Sequence, residues 1–523
     1  MPLLLFAAPT LAQPTWPALG GNAAHESRST LASVPSLAVP TWNRSTDDQG
    51  RVITWNAASG VVVSRDALLA LGSIVNGTTQ HRLWCLDRFD GSVRWSISVD
   101  APNLSSWSTP TIDERRNTVL VAAGSSLTAY ALASGAQQWR TTLQAPIVNA
   151  SPIVTSDLGL ADRAFITDYD GFGAAARLYC INVAPTNAAN PFAPGAIVWS
   201  VMIGAASGNT AAVRDGRVYV SSVGDWGFAP GQILCFDARA TPTPGNAPAP
   251  LWTFDNPSGE SFFGGVCVTA DDAAGGSAHG GALFAASYAF YGSTLSANLI
   301  KLDARTGALK WSTPCNRTAS IPVPLSGGRI ALSGGLQGYG TAPTLQLFAD
   351  NGTSATLLWD SSLATWTDTN NNGSRDVGEF TPFGGWHNQP VALSDRTRLA
   401  LGTIASGSDV SGYGTLSIVN TSVAPSSASF VVAQRSGIGA SPAAAGSNLY
   451  SLGASGLMAF GPPPPRCDVN ADGRVDIDDL YAWEQGSGTR DVNRDGSVSS
   501  ADRDALIAEL RRDERADMEG TRR

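Results

Sequence analysis

Between about residue 50 and residue 460, apolar and polar positions alternate in short runs broken by glycine-containing turns. Alternation with a period of two is the mark of half-buried β-strands, and few runs are long enough for amphipathic helices. One unit recurs: an apolar strand ending near Asp or Asn, a turn with Gly, and a second strand ending in Trp. Its clearest copies are LWCLDRFDGSVRW (Leu83 to Trp95), LTAYALASGAQQW (Leu127 to Trp139) and LIKLDARTGALKW (Leu299 to Trp311). Copies with longer turns run from Leu178 to Trp199, Ile233 to Trp252 and Leu345 to Trp359, and a seventh, Leu416 to Gln434, lacks its Trp. Two more strands precede most of these hairpins. One often opens on Ser-Pro or Thr-Pro, as in STPTID and ASPIVTSD, and the other reads like NTVLVAAG or GRVYVSS.

Four antiparallel strands per repeat, at spacings of roughly 45 to 75 residues, predict an all-β fold, an eight-bladed β-propeller. The eighth blade is split. Ser441 to Gly461 supplies three of its strands, and LAVPTWNRS (Leu37 to Ser45) supplies the outer one, so Trp42 is expected to close the ring. Closure removes sheet edges that would otherwise recruit other chains. The recurring tryptophans are expected to be apolar plates between blades.

The C-terminal pattern is different. Asp468 to Asp479 reads DVNADGRVDIDD and Asp491 to Asp502 reads DVNRDGSVSSAD. Each places side-chain oxygens at loop positions 1, 3, 5, 9 and 12 and glycine at position 6, the spacing that wraps ligands around a calcium ion. The first site draws on Asp468, Asn470, Asp472, Asp476 and Asp479, the second on Asp491, Asn493, Asp495, Ser499 and Asp502. Position 7 contributes a backbone carbonyl, from Arg474 and Ser497. Helices are expected from about Asp478 to Gln485 and from about Ala501 to Arg512, giving a small α-helical domain of paired calcium loops. A third loop, DTNNNGSRDVGE from Asp368 to Glu379, repeats the pattern with Asp368, Asn370, Asn372, Asp376 and Glu379, and is expected to hold a structural Ca²⁺ inside the propeller.

Charge narrows the function classes. Charged residues make up 15% of the chain, the net charge is −9, and the only lysines are Lys301 and Lys310. No basic footprint for nucleic acid is present. MPLLLFAAPTLAQ at the start reads as a signal peptide, and no later run reaches the length of a membrane-spanning helix. The expected division is a signal peptide at 1–13, the propeller at 14–461, a Pro-rich linker at 462–466, the paired-loop domain at 467–515 and a disordered tail at 516–523. Cys85, Cys180 and Cys235 hold equivalent places in three repeats, so they read as small buried apolar residues rather than disulfide partners; Cys267, Cys315 and Cys467 stay open. His25, His81, His279 and His387 are scattered, and His387 reads as a satisfied strand histidine. No catalytic residue is assigned.

Motifs such as LIKLDARTGALKW resemble the repeats of the PQQ-binding-like (quinoprotein) propeller superfamily, and WPALGGNAAHES (Trp16 to Ser27) is similar to a segment that opens such propellers. Quinone-dependent dehydrogenases of that family carry adjacent cysteines, which this chain lacks, so the resemblance points to the non-catalytic members and PQQ is not expected. Asp225-Trp226 lies in a blade loop without the family's surrounding residues. The C-terminal loops resemble a type I dockerin, whose paired loop–helix units bind a cohesin on another protein. Here the loops start closer together, and the positions after the ninth ligand differ, Ile477-Asp478 against Ser500-Ala501. Together the resemblances imply an exported, non-catalytic binding or scaffold propeller. Its blades would take a protein or carbohydrate ligand, and its tail would meet a cohesin-like partner in a calcium-dependent way. The alternative is an extracellular enzyme, either a PQQ-dependent oxidoreductase or a polysaccharide-degrading component borne on the dockerin.

Overall fold

The computed structural model describes residues 15–520 apart from 32, 157, 172, 226–228, 243–245, 271–280, 291–295, 336–340, 377, 405–411, 463–466, 471–474, 489 and 494–496, and it leaves aside the side chains of 160 and 512–520. Among the described residues the strands form eight antiparallel sheets, one per repeat. Blade 1 contains Val62–Val63, Ala67–Asn76, Thr78–Asp87 and Val93–Ser98; blade 2 contains Thr111–Asp113, Thr118–Ala123, Ser126–Ala131 and Gln137–Thr142. Blades 3 to 7 follow in the same order, each with a short inner strand first: Ile153–Val154, Ala212–Arg214, Cys267–Val268, Val323–Pro324 and Val391–Ala392. Blade 8 takes Ala443–Ala445, Asn448–Gly453 and Gly456–Phe460 from the end of the ring and its outer strand, Trp42–Arg44, from the beginning. Trp42 stands opposite Ala459, as the split repeat predicts. One departure is a fifth strand in blade 1, where Thr54–Trp55 pairs with Ser73 and Gly72 on the extended hairpin of that blade.

The turn between the third and fourth strands explains the Trp and the Gly together. Each outer-strand Trp reaches the corresponding turn of the next blade. The indole N–H of Trp95 donates to Leu132 O (2.9 Å), that of Trp199 to Ala240 O (3.1 Å) and that of Trp252 to Ala304 O (3.2 Å). Trp42 does the same to Arg88 O (3.1 Å), which latches blade 8 onto blade 1. The ring lies flat on the turn glycine. A Cβ at Gly91 would stand 2.5 Å from the Trp42 ring, and Gly91 also sits at φ +74°, so only glycine fits.

The Ser-Pro and Thr-Pro signals mark a second joint, nearer the axis. Just ahead of five of the inner strands, a backbone N–H donates to the side chain at the same position of the following blade. Gly60 donates to Thr109 Oγ1 (2.9 Å), Thr109 to Ser151 Oγ (3.0 Å) and Ser151 to Thr210 Oγ1 (3.0 Å). Ile321 donates to Gln389 Oε1 (3.0 Å) and Gln389 to Ser441 Oγ (2.9 Å). Among the described residues no strand pairs with these N–H groups, and the next blade's side chain satisfies them.

All six cysteines are free. Cys85, Cys180 and Cys235 lie fully buried between blades, and burial pushes the Cys85 and Cys235 thiols up to about 12. The helices are α1 (Ser361–Ala364), α2 (Ile477–Glu484) and α3 (Ser500–Gly520). Asp360 caps α1 through Ser362 and Leu363, and Asp476 with Asp479 forms a capping box on α2. α3 runs past Arg512, into the stretch expected to form a tail.

Candidate functional site

A propeller offers one concave place that every blade shares, the two ends of its axis, and here this chain's own residues fill both. At one end the segment from Trp16 to Ser29 crosses the channel and pairs with inner-strand backbone. Trp16 exchanges N–H···O bonds with Val63 in blade 1 (2.7 and 2.9 Å). Pro17 O accepts from Ile112 in blade 2, Ala23 O from Val213 in blade 4 and Ala24 O from Val268 in blade 5. Ser27 O accepts from Ala392 in blade 7, whose own carbonyl takes the N–H of Ser29. The WPALGGNAAHES motif is thus a strap that satisfies the free inner edges of five blades. His25 sits at its centre with no solvent exposure, Nδ1 2.8 Å from Leu19 O and Nε2 2.9 Å from Ala211 O. Burial lowers its pKa while the two carbonyls oppose that shift.

The opposite end is closed by aromatic rings from the loops that lead into the inner strands, joined by Tyr288 at the end of the second strand of blade 5. Trp107 of blade 2 meets His387 of blade 7 across the axis, ring centroids 4.3 Å apart. Phe263 stacks on Tyr288 at 4.5 Å, and Tyr288 meets Trp386 edge-on at 5.2 Å. His387 is 5% exposed and is not a strand residue. Its backbone N–H donates to Tyr413 Oη (3.2 Å), and the same hydroxyl lies in hydrogen-bond contact with His387 Nδ1 (3.1 Å). Among the described residues Nε2 has no hydrogen-bond partner, so the expectation of a satisfied histidine is corrected. Burial lowers the His387 pKa to about 3. Periodicity could not have flagged Trp107 and His387, because they lie in loops and meet only once the ring closes. His279 and Trp226 lie outside the described residues, while Asp225 forms a backbone bridge with Ala229.

The three oxygen-rich loops share one hydrogen-bonding scheme. In the first, Asp479 is fully buried and accepts from the N–H groups of Val469 (2.7 Å), Asn470 (3.1 Å) and Asp476 (2.8 Å), at positions 2, 3 and 9. In the second, Asp502 accepts from Asn493 (3.0 Å) and Ser499 (2.7 Å). In the third, Glu379 accepts from Thr369 (2.9 Å), Asn370 (3.2 Å) and Asp376 (3.2 Å). The position-12 carboxylate therefore curls each loop the same way. Hydrogen bonds to Glu379, led by the Thr369 hydroxyl, hold its carboxyl at about 2. Asp368 accepts from Asn372 and Gly373, and both Asn370 and Asn372 direct their amides to Asp376 Oδ2 (2.8 and 2.7 Å). Asp472, Arg474 and Asp495 lie outside the described residues; Asp468, Asn470, Asp491, Asn493 and Ser497 are described within their loops. Among the described residues no cluster of three or more His, Cys, Asp or Glu side chains is poised around a common point.

The sequence model for the family described as outer membrane protein assembly factor BamB matches residues 41–184, which span the closing strand, blades 1 and 2 and the first three strands of blade 3. No curated protein matches the chain. The quinohemoprotein alcohol dehydrogenase from Comamonas testosteroni superimposes with a TM-score of 0.54 at 12% identity, over 93% of this chain and 86% of that one. The quinohemoprotein alcohol dehydrogenase ADHIIG from Pseudomonas putida HK5 gives 0.54 at 10%, over 85% and 76%. A europium-containing methanol dehydrogenase gives 0.53 at 10%, over 84% and 89%. Residues 41–184 thus carry PQQ-type repeats similar to those of the assembly factor, and the ring as a whole has the fold of the quinoprotein propellers.

Proposed function

We propose that this protein is an exported, non-catalytic propeller that binds a partner protein or carbohydrate and is tethered through a calcium-dependent C-terminal module. The observation that carries this reading is the closed axis. The strap Trp16 to Ser29 occupies one end, and Trp107, Phe263, Tyr288, Trp386 and His387 pack into the other, so the shared concavity is used for cohesion. Export is supported by the apolar run Met1 to Gln13, and among the described residues no helix is long and apolar enough to cross a membrane. The common curl of the three loops, each with a position-12 carboxylate and oxygens at positions 1, 3 and 5 in its sequence, supports Ca²⁺ at all three. On α2, Ile477 and Tyr481 are exposed one turn apart, which suits a docking face for a cohesin-like partner.

Likeness to alcohol dehydrogenases over most of the chain favours a second reading, a PQQ-dependent oxidoreductase. One assay separates the two. The full chain incubated with PQQ and Ca²⁺ is expected to give no dye-linked alcohol oxidation, and turnover overturns the non-catalytic reading. For the module, calorimetric titration with CaCl₂ should show saturable binding that weakens at least tenfold on Asp479→Ala and on Asp502→Ala. Unchanged titrations in both variants would remove calcium from the proposal.

A further inference from the structure

Blade 1 carries an open strand edge beside a cleft, and we propose that this edge binds an extended peptide by strand addition. The inference deepens the partner-binding reading and rests on it. The hairpin Ala67–Asn76 and Thr78–Asp87 is longer than the other strands of its blade. The outer strand Val93–Ser98 pairs with Thr78–Asp87 only from Arg82 onward, and one further bond, Val99 N–H to His81 O (3.0 Å), ends the ladder. In an antiparallel strand, outward-facing backbone groups recur every second residue. His81 turns its carbonyl outward, so Thr79 turns both its N–H and its C=O the same way. Among the described residues no strand lies there to meet them. Thr78 and Thr79 are exposed, and neither proline nor a bulge blunts this edge.

Just below that tip lies a cleft of about 300 Å³ between blades 1 and 2, lined by Leu71, His81, Val99, Pro102 and Ala123 among others. Leu83 and Cys85 on this strand pack toward blade 2, so by alternation His81 and Thr79 present their side chains to the cleft side. A strand laid along Thr79 would place every second side chain over that apolar floor. Leu104, next to the cleft-lining Ser105, is 73% exposed, and both residues are held at positive φ (+49° and +55°). Thr79 offers an extended backbone one donor and one acceptor on the same side, the unit of an antiparallel pair, and the floor selects apolar residues at alternate positions. That is the division of labour in strand-addition recognition, in which main-chain bonds give affinity and pockets give specificity.

The test is selection of seven-residue peptides from a random display library on the immobilised full chain. Selected peptides are expected to carry apolar residues at alternating positions. Their affinity should drop at least tenfold for Thr79→Pro, which deletes the edge donor, and for Ala123→Trp, which fills the cleft and leaves the edge intact. Backbone N-methylation of the peptide at alternate residues should have the same effect, and it does not depend on either variant folding. No enrichment, or selected peptides indifferent to N-methylation and to Ala123→Trp, would overturn the edge site while leaving the non-catalytic reading in place. Quinone-dependent turnover, in contrast, would overturn that wider reading and leave peptide binding to be judged by this selection.

Discussion

Lys301 is one of two lysines in the chain and is 7% exposed, a placement that a bare ammonium does not tolerate. Asp350 of the next blade accepts from Lys301 Nζ at 2.6 Å, and its other oxygen accepts from Trp311 Nε1 at 2.9 Å. Asp350→Ala should destabilise the fold by about 3–5 kcal/mol, because it leaves a buried charge without its counter-ion. Urea unfolding reads the loss, and Lys301→Met on top of Asp350→Ala should recover most of it. His387 makes a pH prediction. Its pKa is about 3 in the fold and near 6.5 when unfolded, so between those values the unfolded chain binds a proton that the native chain does not. Stability therefore rises with pH across that window and is lost as pH falls below 6.5, by an order of 1 kcal/mol per unit for this group alone. His387→Phe should flatten the slope of the urea midpoint between pH 6.5 and 4; an unchanged slope would show that His387 is not a neutral buried imidazole. The Lys-Asp pair could not be read in sequence, since its members belong to neighbouring repeats whose register only packing sets.

At the level of elements, two kinds of joint link neighbouring blades. The outer latch is the Trp on its glycine turn, and the inner clasp is the hydroxyl or amide ahead of the inner strand. Trp42→Ala removes the latch that closes the ring, an 8%-exposed indole packed against Tyr450, and should cost about 3–5 kcal/mol by unfolding midpoint. Thr109→Val keeps the shape of the clasp and removes its acceptor, leaving the buried Gly60 N–H unpaired, for a loss of about 1–3 kcal/mol. Strand alternation, the Trp-ended hairpin and both C-terminal helices were legible in the sequence, because each depends on local periodicity and turn chemistry. The role of Ser-Pro as a clasp was not, because its donor lies in the preceding blade. The fifth strand at Thr54–Trp55 was missed because it pairs with the overhang of a longer hairpin.

For the whole molecule, the strap and the closing strand both come from the first 45 residues, so the N-terminus locks a ring that the rest of the chain builds. Deleting residues 15–31 would free inner-edge N–H groups in blades 1, 2, 4, 5 and 7. The truncated chain should melt well below the full one and elute as higher oligomers on size exclusion; an unchanged melt and a monomeric profile would count against the strap. By itself the sequence determined the strands, the number of repeats, the split eighth blade and the three loop patterns, since all of these follow from residue spacing. Only the tertiary structure decided what fills the axis, where Trp107 meets His387 and where Ser27 meets Ala392. Those residues are far apart along the chain, and nothing in local propensity couples them. Their meeting is a consequence of closing eight twisted sheets around one centre, which turns loop ends into a shared core and leaves an open strand edge on blade 1.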